Sequence, residues 1–215
     1  MDGPNGAHTP GAQSALEEGA LFIHRIVFTP GNGQGNALRA VLEGQVRLRQ
    51  SGGYRCVLGQ IIYGSDWPEF DMGFPFEALS KLEEFRSTAP SPAFQAQVSA
   101  LTARPPQFEL REVIVPPNGS AAVAYTTQTS LAPVPGMLAE LRAALEENTR
   151  ERQAAGIRTA LAITRAGSPR VIVTRLLGAL ADLDTAPLTA AQQARTKGLF
   201  AELAVQIRQV LIPLN

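Results

Sequence analysis

The sequence predicts an α+β protein in which two βαββαβ units follow one another and turn their sheets toward a common interior. Three observations predict it: an ordered internal repeat, the same alternation of strands and helices in both halves, and closing strands that are apolar on both faces. The repeat comes first because it sets the frame. Pro30-x-x-Gly33 recurs as Pro133-x-x-Gly136, and Leu38-Arg39-Ala40-x-Leu42-Glu43 as Leu141-Arg142-Ala143-x-Leu145-Glu146, both at an offset of 103 residues. Gly53-x-Arg55-x-x-Leu58 returns as Gly156-x-Arg158-x-x-Leu161 at the same offset. Ala78-Leu79-x-x-Leu82 returns as Ala179-Leu180-x-x-Leu183 at 101, and Arg111-x-Val113-x-x-Pro116 as Arg208-x-Val210-x-x-Pro213 at 97. Five blocks in one order, with small length changes between them, indicate a duplicated unit.

Each element has a local reason. Residues 22–28 are rich in β-branched and aromatic side chains and stop at Pro30-Gly31, as a strand does. Asn36 is placed to cap a helix whose apolar residues Leu38, Val41, Leu42 and Val46 keep helical spacing. Ser51-Gly52-Gly53 ends that helix. Strands follow at 54–63 and 70–76 around the turn Gly64-Ser65-Asp66, and Ala78, Leu79, Leu82 and Phe85 mark a second helix. Ser91-Pro92, a cap residue with proline in the first helical position, opens an extra helix carrying Phe94, Val98 and Leu101. Residues 108–115 close the unit as its fourth strand. The second unit repeats the course: strand 123–131, helix 137–153, strands 157–164 and 170–177, helical segments 179–184 and 189–203, and strand 205–212. The expected organisation is a disordered tail (1–20), a first unit (21–117) and a second (118–215), linked by Pro116-Pro117-Asn118-Gly119-Ser120.

A βαββαβ unit folds as a four-stranded antiparallel sheet with both helices on one face, the ferredoxin-like arrangement. A free second face would show alternation of apolar and polar residues. Here Leu110 and Ile114 share one face while Val113 and Val115 share the other, and Ile207/Leu211 against Val210/Ile212 repeat the pattern. Both faces are therefore covered, and the other unit's sheet is the economical cover. Each large apolar residue so buried contributes roughly 1.5–3 kcal/mol. The predicted fold is two tandem ferredoxin-like units packed sheet to sheet as an intrachain α+β barrel.

In strand 70–76, Phe70, Met72, Phe74 and Phe76 point one way, while Glu69, Asp71 and Gly73 point the other. The aromatic face suits the helices, so Glu69 and Asp71 face the interior, with Trp67 at the same parity. Carboxylates there need partners, since an unpaired buried charge is costly. Arg25, Arg55 and Arg158, at comparable interior parity, can pair with them, and Gln128 and Tyr63 can complete a polar pocket. Two readings stand side by side: a structural ion-pair network, or a cavity that orients a small polar substrate with Arg or Tyr and uses Asp71 as a base. His24 sits on the helix-facing side of the first strand with Phe22, Ile26 and Phe28, as a structural histidine or a general base. His8 lies in the tail. Gly31-x-Gly33-x-Gly35 lacks the dinucleotide and P-loop spacings and reads as a helix-entry loop.

Composition narrows the function classes. Among 215 residues, 19 basic and 19 acidic side chains cancel, and the arginines are scattered rather than clustered, which argues against nucleic acid. Seventeen of the basic residues are arginine, a bias that points to a bacterial source of high GC content. One cysteine, Cys56, excludes an internal disulfide and a cysteine metal cluster; it reads as a small core residue, compatible with a cytoplasmic location. The first twenty residues contain no Lys or Arg and no apolar run, unlike a signal peptide, and no stretch is long enough to span a membrane. No metal site and no cofactor are expected.

Tandem βαββαβ units with a buried sheet face resemble the dimeric α+β barrel superfamily over residues 21–213. That group includes antibiotic-biosynthesis monooxygenases, stress-responsive and NIPSNAP-type barrels and, in tandem form, chlorite dismutases and dye-decolourising peroxidases. The resemblance rests on topology and implies a barrel that binds a small organic ligand, as a cofactor-independent monooxygenase-like enzyme. The alternative it leaves is a non-enzymatic structural or interaction barrel, for which the charged helix end Glu146–Gln153 would be the partner surface. Oxygenases of this group hold Asn, Trp, Tyr and Arg in their pockets, types that Trp67, Tyr63 and Arg55 match. Its haem-binding tandem members use an axial histidine in the second unit, where this chain has none. A further oligomer is possible but not required to complete the barrel.

Overall fold

The computed structural model describes residues 22–65, 68–88 and 90–214. The expected tail and Trp67 lie outside these residues. The first half runs β1 (Phe22–Phe28), α1 (Gly35–Ser51), β2 (Val57–Tyr63), β3 (Glu69–Phe76), α2 (Leu79–Ser87), α3 (Pro92–Leu101) and β4 (Gln107–Val115). The second runs β5 (Tyr125–Pro133), α4 (Leu138–Ala154), β6 (Thr159–Thr164), β7 (Val171–Leu177), a short 3-10 helix (Leu180–Asp184), α5 (Ala190–Thr196) and β8 (Phe200–Ile212).

The eight strands form one closed antiparallel barrel in the order β1-β3-β2-β8-β5-β7-β6-β4. Each half contributes four neighbouring strands in the same order, β4-β1-β3-β2 and β8-β5-β7-β6. The halves therefore do more than face each other: they are hydrogen-bonded at both seams, β2 to β8 and β4 to β6. Closure removes every open strand edge. Both seams carry register shifts, at Leu58/Gly59 and Ile61/Tyr63 in one and Val113/Val115 in the other, as the bending of a barrel corner requires.

The helices cover the outside. Leu38, Leu42 and Val46 of α1 are fully buried against Phe28, Phe70, Met72, Phe74 and Phe76, with Leu82, Phe85 and Val98 from α2 and α3. A smaller cluster joins Leu141 and Leu145 of α4 to Leu131, Leu161 and Val171. Among the described residues no helix is long and apolar enough to cross a membrane.

Three local expectations are corrected. Helix α1 begins at Gly35, ahead of Asn36, because Gly33 takes a left-handed φ of 74° and turns the chain early; no side chain caps this end. Strand β2 begins at Val57, not 54: the Tyr54 N–H still bonds the Arg49 carbonyl of α1, and its ring packs edge-on to Phe85. The helix expected over 189–203 is only α5. Thr189 and Gln192 form its reciprocal N-terminal cap, but Gly198 (φ 77°) breaks it and the chain enters β8 thirteen residues long. That length lets β8 pair with β5 along its first part and β2 along its second. Ser91 caps α3 as expected, accepting from the Phe94 N–H.

Candidate functional site

Alternation along β1 and β3 places Arg25 and Asp71 inside the barrel and their neighbours Ile26 and Met72 under the helices. Arg25 Nε donates to Asp71 Oδ2 at 2.7 Å, Nη1 to Glu109 Oε2 at 3.2 Å, and Nη2 to Gln206 Oε1 at 3.5 Å. Asp71, with no exposed surface, also accepts through Oδ1 from Nε of Arg208 at 2.9 Å and from its Nη2. Arg111 donates through Nη2 to Glu109 at 2.7 Å and through Nη1 to Gln128 Oε1 at 3.1 Å. Gly59 faces Asp71 across the β2–β3 ladder. A Cβ there would stand 2.9 Å from both Asp71 Oδ1 and Arg208 Nη2, so glycine leaves the space in which this pair meets.

The electrostatics follow from burial against pairing. Burial pushes the Asp71 carboxyl up, but Arg208 and Arg25 outweigh it and hold the carboxyl below the usual carboxylate range. Glu109 is held down likewise, by Arg111 and Arg25 against its burial. Arg111 goes the other way: burial and the like charge of Arg25 bring it down to about 10, with Glu109 only partly compensating. A carboxylate pinned by two guanidinium groups is a poor proton acceptor, so the base role expected of Asp71 does not fit the geometry. Beside this network lies a cavity of about 240 Å³, bounded also by Val57, Val113, Thr126, Leu176 and Val210.

Of the residues expected here, the structure brings Arg25, Asp71 and Gln128 together. Glu69 is buried at the barrel's end, where it accepts from Thr29 at 2.9 Å and Arg104 at 2.8 Å. Arg55 lies ahead of β2, where strand parity no longer governs direction, and is not in the cavity wall. Arg158 likewise precedes β6, and its guanidinium reaches the linker carbonyls of Asn118, Gly119 and Ala122. Tyr63 ends β2 and is 64% exposed. Sequence reasoning passed over Glu109, Arg111, Gln206 and Arg208. The signal for the two arginines was present: they are the paired first residues of the last repeat block.

A second, larger cavity of about 710 Å³ lies on the other side of the same strands, between the first sheet and α1–α3. His24, Met72, Phe74, Phe85, Phe94 and Phe108 line it. The His24 ring stacks on Phe108 at 5.9 Å and 8°, and lies 6.3–6.4 Å from the rings of Phe85 and Phe74. Phe108 is 67% exposed, which puts the mouth beside it. Burial, with Arg86 nearby, lowers the His24 pKa from its ordinary value, so the imidazole is neutral at pH 7. Among the described residues no group of three or more His, Cys, Asp and Glu could hold a metal ion. The charged stretch Glu146–Gln153 is engaged within the fold: Asn148, Thr149 and Arg152 are buried, and Arg195 of α5 binds Asn148, Glu147 and Glu151.

No family model and no curated protein matches this sequence. Solved structures do. A Fusobacterium nucleatum protein named as a candidate monooxygenase superposes with a TM-score of 0.73 at 11% identity, over 92% of this chain and 95% of that one. An anthrone oxidase-like protein gives 0.62 at 16% identity, over 92% and 93%. A mutant chlorite dismutase from Candidatus Nitrospira defluvii gives 0.53 at 13%, over 91% and 93%. The fold is that of the dimeric α+β barrels. In this barrel both sets of four strands come from one chain, so closure needs no partner subunit. Residues 118–215 contain no histidine, so the axial ligand expected there of the haem-binding tandem members of that group is absent from this chain.

Proposed function

We propose that this dimeric α+β barrel protein is a small-molecule-binding, cofactor-independent monooxygenase-like enzyme. Its substrate is an activated aromatic compound seated in the cavity between the first sheet and its helices. The observation that carries the reading is His24: a neutral imidazole at a mouth lined by aromatic rings, over a cavity of about 710 Å³. Such a pocket is of the size and apolar character that binds an organic molecule. The names of the monooxygenase and anthrone oxidase-like neighbours support the same class.

The chemistry requires one base. His24 removes a proton from an acidic ring CH₂ of an anthrone-type substrate. The carbanion adds to O₂, forming a C–O bond, and the resulting peroxide anion takes the proton back from the His24 imidazolium to give the hydroperoxide. Loss of the second C–H proton with cleavage of the O–O bond then gives the ketone and water. The rings of Phe74, Phe85 and Phe108 hold the planar substrate and exclude water from the anion. Within this reading the two halves are a tandem repeat of which only the first keeps the site, in a cytoplasmic, bacterial protein.

Oxygen uptake with anthrone as substrate tests the proposal. The wild-type protein turns anthrone over, and His24→Gln lowers kcat/KM by about 100-fold, the loss typical of a general base. The rate falls with acid through a midpoint below the ordinary histidine value of about 6.5. An oxygen uptake no faster than that of buffer alone overturns it.

A further inference from the structure

The barrel interior is a separate space, divided from the aromatic cavity by the β1–β3–β4 sheet, and it carries unbalanced charge. Three guanidinium groups (Arg25, Arg111 and Arg208) meet only two carboxylates (Asp71 and Glu109). The imbalance falls on Arg111. Arg25 and Arg208 both hold Asp71, whereas Arg111 shares Glu109 with Arg25. The origin of the imbalance is visible in the two halves. Glu109 pairs with Arg25 in the β4–β1 ladder, and Gln206 pairs with Gln128 in the matching β8–β5 ladder. Arg111 and Arg208 stand two residues further along β4 and β8. The second half thus keeps the arginine and replaces the carboxylate by its amide.

Three buried polar atoms have no hydrogen-bond partner among the described residues: Nε of Arg111, Oγ1 of Thr126 and Oε2 of Glu112. The last is ion-paired with Arg165 away from the cavity, so the first two are the ones that concern the interior. Arg111 is 6% exposed and Thr126 8%, and both line the cavity of about 240 Å³. Buried polar atoms are otherwise nearly always hydrogen-bonded. One further negative group at this place would satisfy both and neutralise the interior. Apart from the charged network, Thr126, Gln128 and Thr174, the wall is apolar, with Ile23, Val57, Val113, Leu176 and Val210 among its residues. Ala122, exposed and part of the wall, marks the opening under the linker at one end of the barrel.

We propose that the barrel interior is a second binding site, for a small aliphatic monocarboxylate whose carboxylate lies on Arg111 and Thr126 and whose hydrocarbon part lies among the valines. A dianion does not suit a site short of a single charge, and a neutral amide leaves that charge unmet.

Calorimetric titration of the full chain with pivalate, and with pivalamide as its neutral isostere, tests this. Pivalate binds one to one with a dissociation constant below about 1 mM, and pivalamide does not bind. Glu109→Gln, which installs the second half's own solution in the first, leaves the charge excess at two and tightens pivalate about tenfold or more. Thr126→Val is isosteric, leaves the ion pairs that Glu109→Gln disturbs intact, and weakens pivalate about tenfold. His24→Gln leaves pivalate binding unchanged, which separates this site from the aromatic cavity. No pivalate binding by the wild type overturns the proposal, as does equal binding of the amide. Binding that answers to His24→Gln but not to Thr126→Val overturns it too.

Discussion

Asp71→Asn is the most informative single change in the barrel. The substitution keeps size and shape but removes one of the two interior carboxylates. Three guanidinium groups then face Glu109 alone. Arg25 retains Glu109 at 3.2 Å and Gln206 at 3.5 Å, so it stays partly paired. Arg208 loses the one carboxylate it is paired with among the described residues. Removing one member of a buried pair costs about 3–5 kcal/mol, because the survivor is left charged and desolvated. For a chain of this length, with about 2–4 °C of melting temperature per kcal/mol, that is a fall of roughly 6–20 °C. Urea unfolding followed by circular dichroism measures the same loss at pH 7. The pH dependence has a definite sign. The folded-state carboxyl of Asp71 is held below its ordinary value, so its stabilisation is full above about pH 4, its unfolded range, and is lost as pH falls through the folded value. Wild type and Asp71→Asn therefore converge in acid. Adding Arg208→Met to Asp71→Asn removes the stranded charge and recovers at least about 1 kcal/mol, since the two residues are in contact. A loss below about 1 kcal/mol at pH 7, with no convergence in acid, would show that the interior is wet enough to solvate a guanidinium group. The buried-network reasoning would then be wrong.

Three other outcomes follow from single sites. Gly59→Ala places a methyl 2.9 Å from both Asp71 Oδ1 and Arg208 Nη2; overpacking at such a point costs about 1–3 kcal/mol, read as a lower melting temperature. The Cys56 thiol is fully buried and pushed up to about 11 by that burial. In a disulfide-exchange assay at pH 8 it reacts only as fast as the protein unfolds, and stoichiometric labelling of the native state within minutes would contradict its placement. Ser91→Ala removes the acceptor for the Phe94 N–H at the start of α3 and costs about 1 kcal/mol in urea unfolding.

The sequence made the architecture legible because the repeat and the two-residue strand period both survive in it. Phe70, Met72, Phe74 and Phe76 against Asp71 and Gly73 give the orientation of β3 directly, with the first four under the helices and the other two in the cavity wall; Glu69, at the strand's start, lies instead at the barrel's end against Thr29 and Arg104. Parity failed where strands begin. Arg55 and Arg158 take an inward direction only if β2 and β6 begin at 54 and 157, three and two residues ahead of their observed starts at Val57 and Thr159, and outside the ladder no pleat fixes the direction of a side chain. Bulges defeat parity as well. Between Val210 and Ile212 the β2–β8 register shifts, so Val210 lines the cavity while Ile212, two residues later, packs under the helices. Cavities are not legible at all. Strand parity puts His24 on the helix side, where it lies, but the space beside it depends on how α2 and α3 stand off the sheet, and no residue pattern encodes a gap.

The interior also shows what a single chain can do that two identical subunits cannot. A barrel made of two copies of the first half would hold Arg25, Asp71, Glu109 and Arg111 twice, four positive and four negative groups related by a twofold axis. Two copies of the second half would hold Gln128, Ile172, Gln206 and Arg208 twice, with the arginines unopposed. Ser130 pairs with Ile172 on β5 and β7 as Val27 pairs with Asp71 on β1 and β3, so the carboxylate of one half stands where the other half has a hydrocarbon. Joining one half of each kind gives Arg208 its carboxylate across the seam, from Asp71. Arg111 is left facing the neutral Gln128. The asymmetry is thus internal to the fold: the seam contact that neutralises one arginine leaves the excess charge on the other, at one place in the barrel and beside the cavity.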